Sequence, residues 1–431
     1  MNLFKEIIRN EVYPAFGCTE PIACAYAAAV AAEKLMDPVE RVVLKVDRGT
    51  FKNGAAVTVP HSGGRKGNLI AAVLGALIAR PEARLEVLNG VTEENRQRAA
   101  QLMDSGACET SCLEGGAGFR VEAEVSSRDH KVLCVLASGH THVERIEKDG
   151  ETIFQASGAE SEGGELAYRE MLKKMDFTGL LDLVSGLDEE DQAYLKKGLD
   201  MNRAMARRGF EVQGTASQLL KMKEDGFLAE DLFFRIKTQV AAAVDARMAG
   251  LAQAVMTSGG SGNQGIVVTL TLHGMAEEIG LPEEILWNSI GTAHVINAYV
   301  KCFVGELAVI CGCAMAAGIA ASAGIVYQQA GPDTKKMTLA VNNVIGDLGG
   351  LICDGAKPGC ALKTVTSVDS ALRSALMALK DYGLGAEEGV LGKTMEDSIR
   401  NLGRITLEGM FQVDPTVLDI LRGKAKGPGN A

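Results

Sequence analysis

Residues 303–327 read FVGELAVICGCAMAAGIAASAGIVY, the most apolar run of the chain. Its length would cross a bilayer. Glu306 interrupts it, however, and no second such run and no flanking basic or aromatic belt accompanies it. The stretch is therefore read as a buried core helix over 304–327. Around it the sequence becomes a helical half. From about residue 162 onward no convincing strand remains, and helical periodicity recurs between glycines at 191–208, 232–256, 266–279, 282–299, 337–352 and 362–382.

Upstream the pattern differs. Residues 3–12 and 21–35 carry helical periodicity, the second almost pure Ala. Residues 42–46 and 55–59 read as strands joined by a turn at 49–54, and a helix over 68–78 follows Gly63-Gly64-Arg65-Lys66-Gly67. Beyond these, 85–88, 119–125, 131–137, 143–146 and 152–154 read as strands. Thr92 caps a helix over 92–103 with Asn95 at the third position, and Lys148-Asp149-Gly150 marks a hairpin. The expected fold class is α+β, a small α+β N-terminal region followed by a large all-helical C-terminal domain. The expected divisions are 1–80, 81–160 and 161–431, with a frayed tail over 423–431.

Composition bounds the function. Lys and Arg number 44 against 55 Asp and Glu in 431 residues, a net charge of −11. That balance argues against nucleic acid or an anionic membrane as a partner. No basic start leads into an apolar run, so the chain reads as cytoplasmic. Its ten cysteines are then reduced thiols, suited to metal or catalysis rather than disulfides. Gly is abundant, at 50 residues, and aromatics make up only 5%. Such a chain packs backbones closely and builds pockets from main chain.

Cys353-Asp-Gly-Ala-Lys-Pro-Gly-Cys360 ends a predicted helix in a Gly/Pro loop whose exposed amides suit the sulfides of an iron–sulfur cluster. At 100° per residue, Cys302, Glu306 and Cys313 share one helical face, so either Cys302 or Cys313 could join the loop. Cys302 and Cys311 read more simply as small buried hydrophobes. Cys18 lies in Pro14-Ala-Phe-Gly-Cys-Thr-Glu-Pro21, just before a helix for which Thr19 is the expected N-cap. A thiol at a helix N-terminus should have a lowered pKa.

Thr257-Ser-Gly-Gly-Ser-Gly-Asn-Gln-Gly265 contains G-x-G-x-x-G, yet a helix rather than a strand is expected before it, which argues against a dinucleotide. A loop of main-chain donors leading into a helix suits a carboxylate. Its residues Ser258, Gly259, Gly260, Ser261, Asn263 and Gln264 are the candidate substrate-binding set, with Asn53 and Lys66 as possible helpers. His61 to Gly67 is a second such loop, with cations. His140 and His142, placed on one strand face with Cys112 in the same unit, allow a zinc site. His294 reads as a core or pocket histidine.

With these residues assembled, the chain resembles the L-cysteine desulfidase family, a serine-dehydratase-alpha-like group. The resemblance rests on Pro14 to Pro21, Pro60-His-Ser-Gly-Gly-x-x-Gly67, Ser258 to Gly265, Gly312-Cys-Ala-Met-Ala-Ala-Gly318 and Cys353-x6-Cys360. It implies a lyase independent of pyridoxal phosphate that carries a 4Fe–4S cluster. Cys313, Cys353 and Cys360 would be the cluster ligands, Cys18 the catalytic base, and a small amino acid the substrate. A homodimer is a possible assembly. Iron–sulfur L-serine dehydratases are the nearest alternative, and their C-terminal cysteine ligand is absent here. A zinc hydrolase and a non-catalytic small-molecule binding protein are the other readings.

Overall fold

The computed structural model describes residues 2–113, 118–137, 139–156, 167–305 and 308–425. Helix α1 (Leu3–Glu11) is capped by Asn2 and buries Leu3, Phe4, Ile7 and Ile8. Strand β1 (Pro14–Phe16) leads into α2 (Thr19–Leu35), whose Ala-rich surface is buried on nearly every side. Strand β2 (Arg41–Val46) runs as expected. The expected turn over 49–54 is instead helix α3 (Arg48–Gly54), because the Asp47 carboxylate accepts the Thr50 amide and caps it. The expected strand over 55–59 is irregular and reduced to one bridge between Thr58 and Lys66. Helix α4 (Asn68–Ile78) lies against α2.

Residues 85–88, expected as a strand, form part of a 3₁₀ segment, Pro81–Gly90. Short apolar runs do not distinguish these two states. Helix α5 (Glu93–Asp104) carries the expected reciprocal cap between Thr92 and Asn95. Five strands follow: β3 (Cys108–Cys112), β4 (Arg120–Ser126), β5 (Lys131–Ala137), β6 (Val143–Lys148) and β7 (Glu151–Gln155). With β2 they form a six-stranded sheet in the order β3-β2-β4-β5-β6-β7. Only the β2–β3 pair in it is parallel. Strand β4 alternates strictly, burying Val121, Ala123 and Val125 in a core shared with α2.

Among the described residues the remaining chain is helical apart from one short strand. It comprises α6 (Ala167–Lys173), α7 (Phe177–Asp182), α8 (Glu189–Gly209), α9 (Thr215–Glu224) and α10 (Leu232–Met248). After strand β8 (Ala254–Met256) come α11 (Gly262–Ile279), α12 (Glu283–Val304), α13 (Met315–Ala330) and α14 (Thr334–Leu348). Helices α15 (Cys360–Leu379), α16 (Met395–Arg404) and α17 (Val413–Ala425) complete it. The expected helix over 232–256 is thus cut short, and its end pairs antiparallel with β1. That pairing ties the N-terminal segment to the helical half.

The run over 303–327 is two structures rather than one. Helix α12 stops at Val304, where Gly305 takes φ +87. That left-handed geometry is open to glycine and ends the helix. Residues 308–314 are irregular and lead to α13 at Met315. The shared helical face of Cys302 and Cys313 therefore does not exist, and Glu306 lies outside the described residues. Among the described residues no helix is long and apolar enough to cross a membrane. Two large hydrophobic clusters organise the described residues, with a small third at Ala216, Ala241 and Ala242. The smaller of the two runs from Ile22 to Ile146, and the larger gathers the helical half together with α1, Cys18 and Val57.

Candidate functional site

A cavity of about 890 Å³ takes lining from both clusters. Cys18, Glu20 and Asn53 come from the N-terminal segment, and His140 and His142 from the β5–β6 turn. Arg247, Gly259 to Gln264, Cys311, Cys313, Cys353 and Cys360 come from the helical half.

Main-chain pairing brings the cysteines together. The Cys311 amide donates to the Leu351 carbonyl at 2.8 Å and the Cys353 amide to the Val309 carbonyl at 2.7 Å. Ile310 and Ile352 thereby form an antiparallel bridge between two segments about forty residues apart. Gly355, at φ +95, lets the cysteine loop rest on α3, since a Cβ there would lie 2.3 Å from the Lys52 carbonyl oxygen. Lys52 itself is buried, and its Nζ meets Asp414 of α17 at 2.6 Å. Cys360 then opens α15.

Cys311, read from sequence as packing, belongs to this group. Its thiol is within hydrogen-bond reach of both Cys313 and Cys353, and the contact with Cys313, with burial added, pushes it up to about 12. Contact with Cys311, then burial, raises Cys353, and burial raises Cys360. Crowded, desolvated thiols oppose one another's ionisation, so this set favours thiolates only when a bound cationic group compensates them. Among the described residues no three such side chains converge closely enough for a single ion. A polynuclear iron–sulfur group asks for thiols spread around a larger body, and the donor set fits that. Cys302 is apart from it, donating to the Ala298 carbonyl along α12.

Cys18, rather than Thr19, is the N-cap of α2. Its Sγ donates to Glu20 Oε2 at 2.9 Å, and Asn53 Nδ2 donates to Glu20 Oε1 at 3.0 Å. Burial, reinforced by the Glu20 charge, raises the Cys18 pKa well above the ordinary thiol value, while Arg247 works the other way. The lowered pKa expected of a helix N-terminus is overturned by desolvation. Glu20 behaves in the opposite sense. Burial would raise it, but His140 and the hydrogen bonds from Cys18 and Asn53 hold it below the ordinary carboxylate value. The resting pair is therefore a thiol beside a carboxylate.

The glycine loop does follow a strand, β8, but one of three residues paired antiparallel with β1. That context excludes the parallel βαβ unit of dinucleotide sites. Several of its expected donors are already used. Ser258 and Ser261 exchange amide bonds, and the Gly260 amide donates to the Glu11 carbonyl at 3.0 Å. Ser258 Oγ sits 2.9 Å from His294 Nδ1 and accepts Asn297 Nδ2 at 2.9 Å; that amide also reaches Gln264 Oε1 at 3.0 Å. These buried bonds fix the loop. Gly259 and the first turn of α11, whose amides precede any helical acceptor, remain to face a ligand.

Arg247, near the end of α10, supplies what the loop lacks. It is 3% exposed, its Nη1 donates to Asn263 Oδ1 at 2.9 Å, and its Nε is buried without a partner among the described residues. No ion pair compensates it there, which is costly for a desolvated guanidinium. An anionic ligand group would restore the balance.

Of the sequence-derived candidates, Cys18, Asn53, Gly259, Gly260, Ser261, Asn263, Gln264, Cys313, Cys353 and Cys360 line the cavity, and Ser258 braces the loop beneath it. Lys66 does not line it, being exposed on the other glycine loop. His140 and His142 are in a turn rather than on one strand face, and Cys112 is not with them in the lining. Glu20, His140, Arg247 and Cys311 gained their place only through the fold. Glu20 and His140 were in view, but nothing in the sequence joined them.

The family model described as serine dehydratase alpha chain matches residues 82–419. An UPF0597 protein of Geobacter sulfurreducens is 47% identical over 424 residues, covering 98% of this chain and 99% of its own. One from Elusimicrobium minutum is 42% identical over 426 residues, covering 99% and 100%. A third, from Clostridium tetani, is 35% identical over 421 residues, covering 97% and 98%. No solved structure matches the chain.

Proposed function

Because this chain belongs to the serine dehydratase alpha chain family, we propose that it is an iron–sulfur lyase acting as an L-cysteine desulfidase. The observation that carries this reading is one cavity lined by a cysteine group, an uncompensated buried arginine and the Cys18–Glu20 pair. Cys313, Cys353 and Cys360 would hold a 4Fe–4S cluster, with Cys311 beside them. When bound, the cluster supplies a Lewis acid for the leaving sulfur.

The protein's own groups then do the rest. Arg247 and the first amides of α11 hold the substrate carboxylate. The ring of bonds among Ser258, His294, Asn297 and Gln264 keeps that loop in place. Cys18, as thiolate, takes the proton from the substrate α-carbon. The C–H electron pair becomes the Cα–Cβ double bond, and the Cβ–S bond breaks with its pair on sulfide. Aminoacrylate tautomerises and is hydrolysed to pyruvate and ammonia. Because Cys18 rests as a thiol, the rate should rise with pH through an apparent pKa above the ordinary thiol value.

Dehydration of L-serine is the second reading, supported by the description of the family itself. Anaerobic purification followed by iron and sulfide assay, then sulfide and pyruvate release from L-cysteine and L-serine, tests both. Protein that binds no iron, or a Cys18→Ala variant that degrades L-cysteine at the full rate, would defeat the proposal.

A further inference from the structure

The N-terminal side of the cavity holds a second buried charge. Glu20 is 8% exposed and makes no ion pair with lysine or arginine among the described residues. Two further unpartnered polar atoms accompany it. Asn53 Oδ1 and His140 Nε2 are both buried without a hydrogen-bond partner among the described residues. The Asn53 amide is fixed by its bond to Glu20, which leaves the oxygen of the same group unpaired. His140 is held by its ring against Phe119, with centroids 4.6 Å apart, and it acts electrostatically on Glu20. All three side chains line the cavity. Buried polar atoms are ordinarily paired, so a carboxylate with an orphaned amide oxygen beside it describes a place for a cationic donor with several N–H bonds.

We propose that Glu20, Asn53 and His140 form the subsite for the α-ammonium group of the substrate. The carboxylate supplies the countercharge, Asn53 Oδ1 takes a further N–H bond, and the His140 ring borders the subsite. This rests on the reading of the ligand as an α-amino acid. Geometry supports it from a second direction. Cys18 Sγ donates to Glu20 Oε2 at 2.9 Å, and Glu20 and Arg247, buried groups of opposite sign, line the same cavity as Cys18. A zwitterion held between Glu20 and Arg247 has one atom carrying both of its charged groups, the α-carbon. The subsite therefore brings the α-C–H to the Cys18 sulfur, and it selects amino acids over their deaminated counterparts.

The test compares L-cysteine with 3-mercaptopropionate, which keeps the thiol and carboxylate and lacks the ammonium. In anaerobically reconstituted protein, Glu20→Gln should raise the KM for L-cysteine by about tenfold to a hundredfold, the span expected for one charged hydrogen bond. Its inhibition constant for 3-mercaptopropionate should stay within about twofold of wild type on the same grounds. Asn53→Ala should show the same split at smaller size. Parallel loss of both ligands, or an unchanged KM, overturns the subsite while leaving lyase activity standing. Thermal-shift titration of cluster-free protein with L-alanine and with propionate separates the remaining case. If wild type releases neither sulfide nor pyruvate, yet L-alanine stabilises it and not Glu20→Gln, the lyase reading fails and the subsite stands. If L-alanine stabilises both proteins equally, the subsite is refuted as well.

Discussion

Two glycine-rich loops open helices in this protein, alike in composition and different in surroundings. His61 to Gly67 leads into α4 with Gly63, Gly64, Arg65 and Lys66 exposed, and space around Gly64 is open. Ser258 to Gly265 leads into α11 with its serine, asparagine and glutamine side chains committed to partners on α10 and α12. Glycine permits the bend in both. Both bends are held by hydrogen bonds, the first through Ser62 Oγ donating to the Val59 and Arg65 carbonyls, but only the second lines the cavity. Gly content therefore marks a loop, whereas distant side chains decide whether it becomes a site.

Substitutions that treat the loops alike should break or sharpen that contrast. The largest effect is expected at Gly265, where a Cβ would lie 2.0 Å from the Met256 carbonyl oxygen. Backbone cannot yield there, and Gly265→Ala should cost ~3 kcal/mol or more, seen as a lower urea midpoint or as insoluble protein. A near-native midpoint would mean that the loop is not locked.

Acid is the next probe. Burial holds His294, the partner of Ser258, down to about 3. An unfolded chain takes up this proton near pH ~6.5, so between those values the unfolded state binds more protons. Stability from this group is whole above ~6.5 and declines as pH falls toward 3, by a total on the order of 5 kcal/mol. Urea midpoints measured down that range should fall less steeply in His294→Gln, and an identical slope would dismiss the buried neutral imidazole.

Asn297→Ala follows, at about 1–3 kcal/mol, because Ser258 and Gln264 both lose their shared amide. It should also raise the KM while an equivalent change in the exposed loop does not. Gly64→Ala carries only the strain of φ +85, about 1 kcal/mol. Lys66→Ala should alter neither stability beyond ~0.5 kcal/mol nor the KM, and a marked KM change would restore Lys66 to the site.

Where chemistry is written in adjacent residues, the sequence was legible. Cys18 before a helix, the Cys353–Cys360 loop and the donors of residues 258–265 all stand out from their neighbours. Strands β4, β5 and β6 show their alternation, and the Thr92–Asn95 cap shows its spacing. Strand β3 does not, because Cys-Glu-Thr-Ser-Cys is a polar edge paired on one side only. Arg247 was hidden in an Ala-rich helix, and its purpose depends on a loop 16 residues away. Cys311 reads as packing only while 304–327 reads as one helix. The apolar count outweighed Gly305, and that glycine carried the break.

The buried contact of Lys52 with Asp414 has a consequence in time. These partners stand 362 positions apart, and a ribosome adding ~5–20 residues per second needs roughly 20 to 70 s to cover that interval. Until then Lys52 has no counter-ion beneath the cysteine loop, and β1 has waited for β8. Low-contact-order elements such as the β5–β6 hairpin can form during synthesis. The chamber needs residues as late as Lys363. Cys18 is therefore made long before the cysteines that line the cavity with it, open to whatever competes for exposed thiols in the meantime.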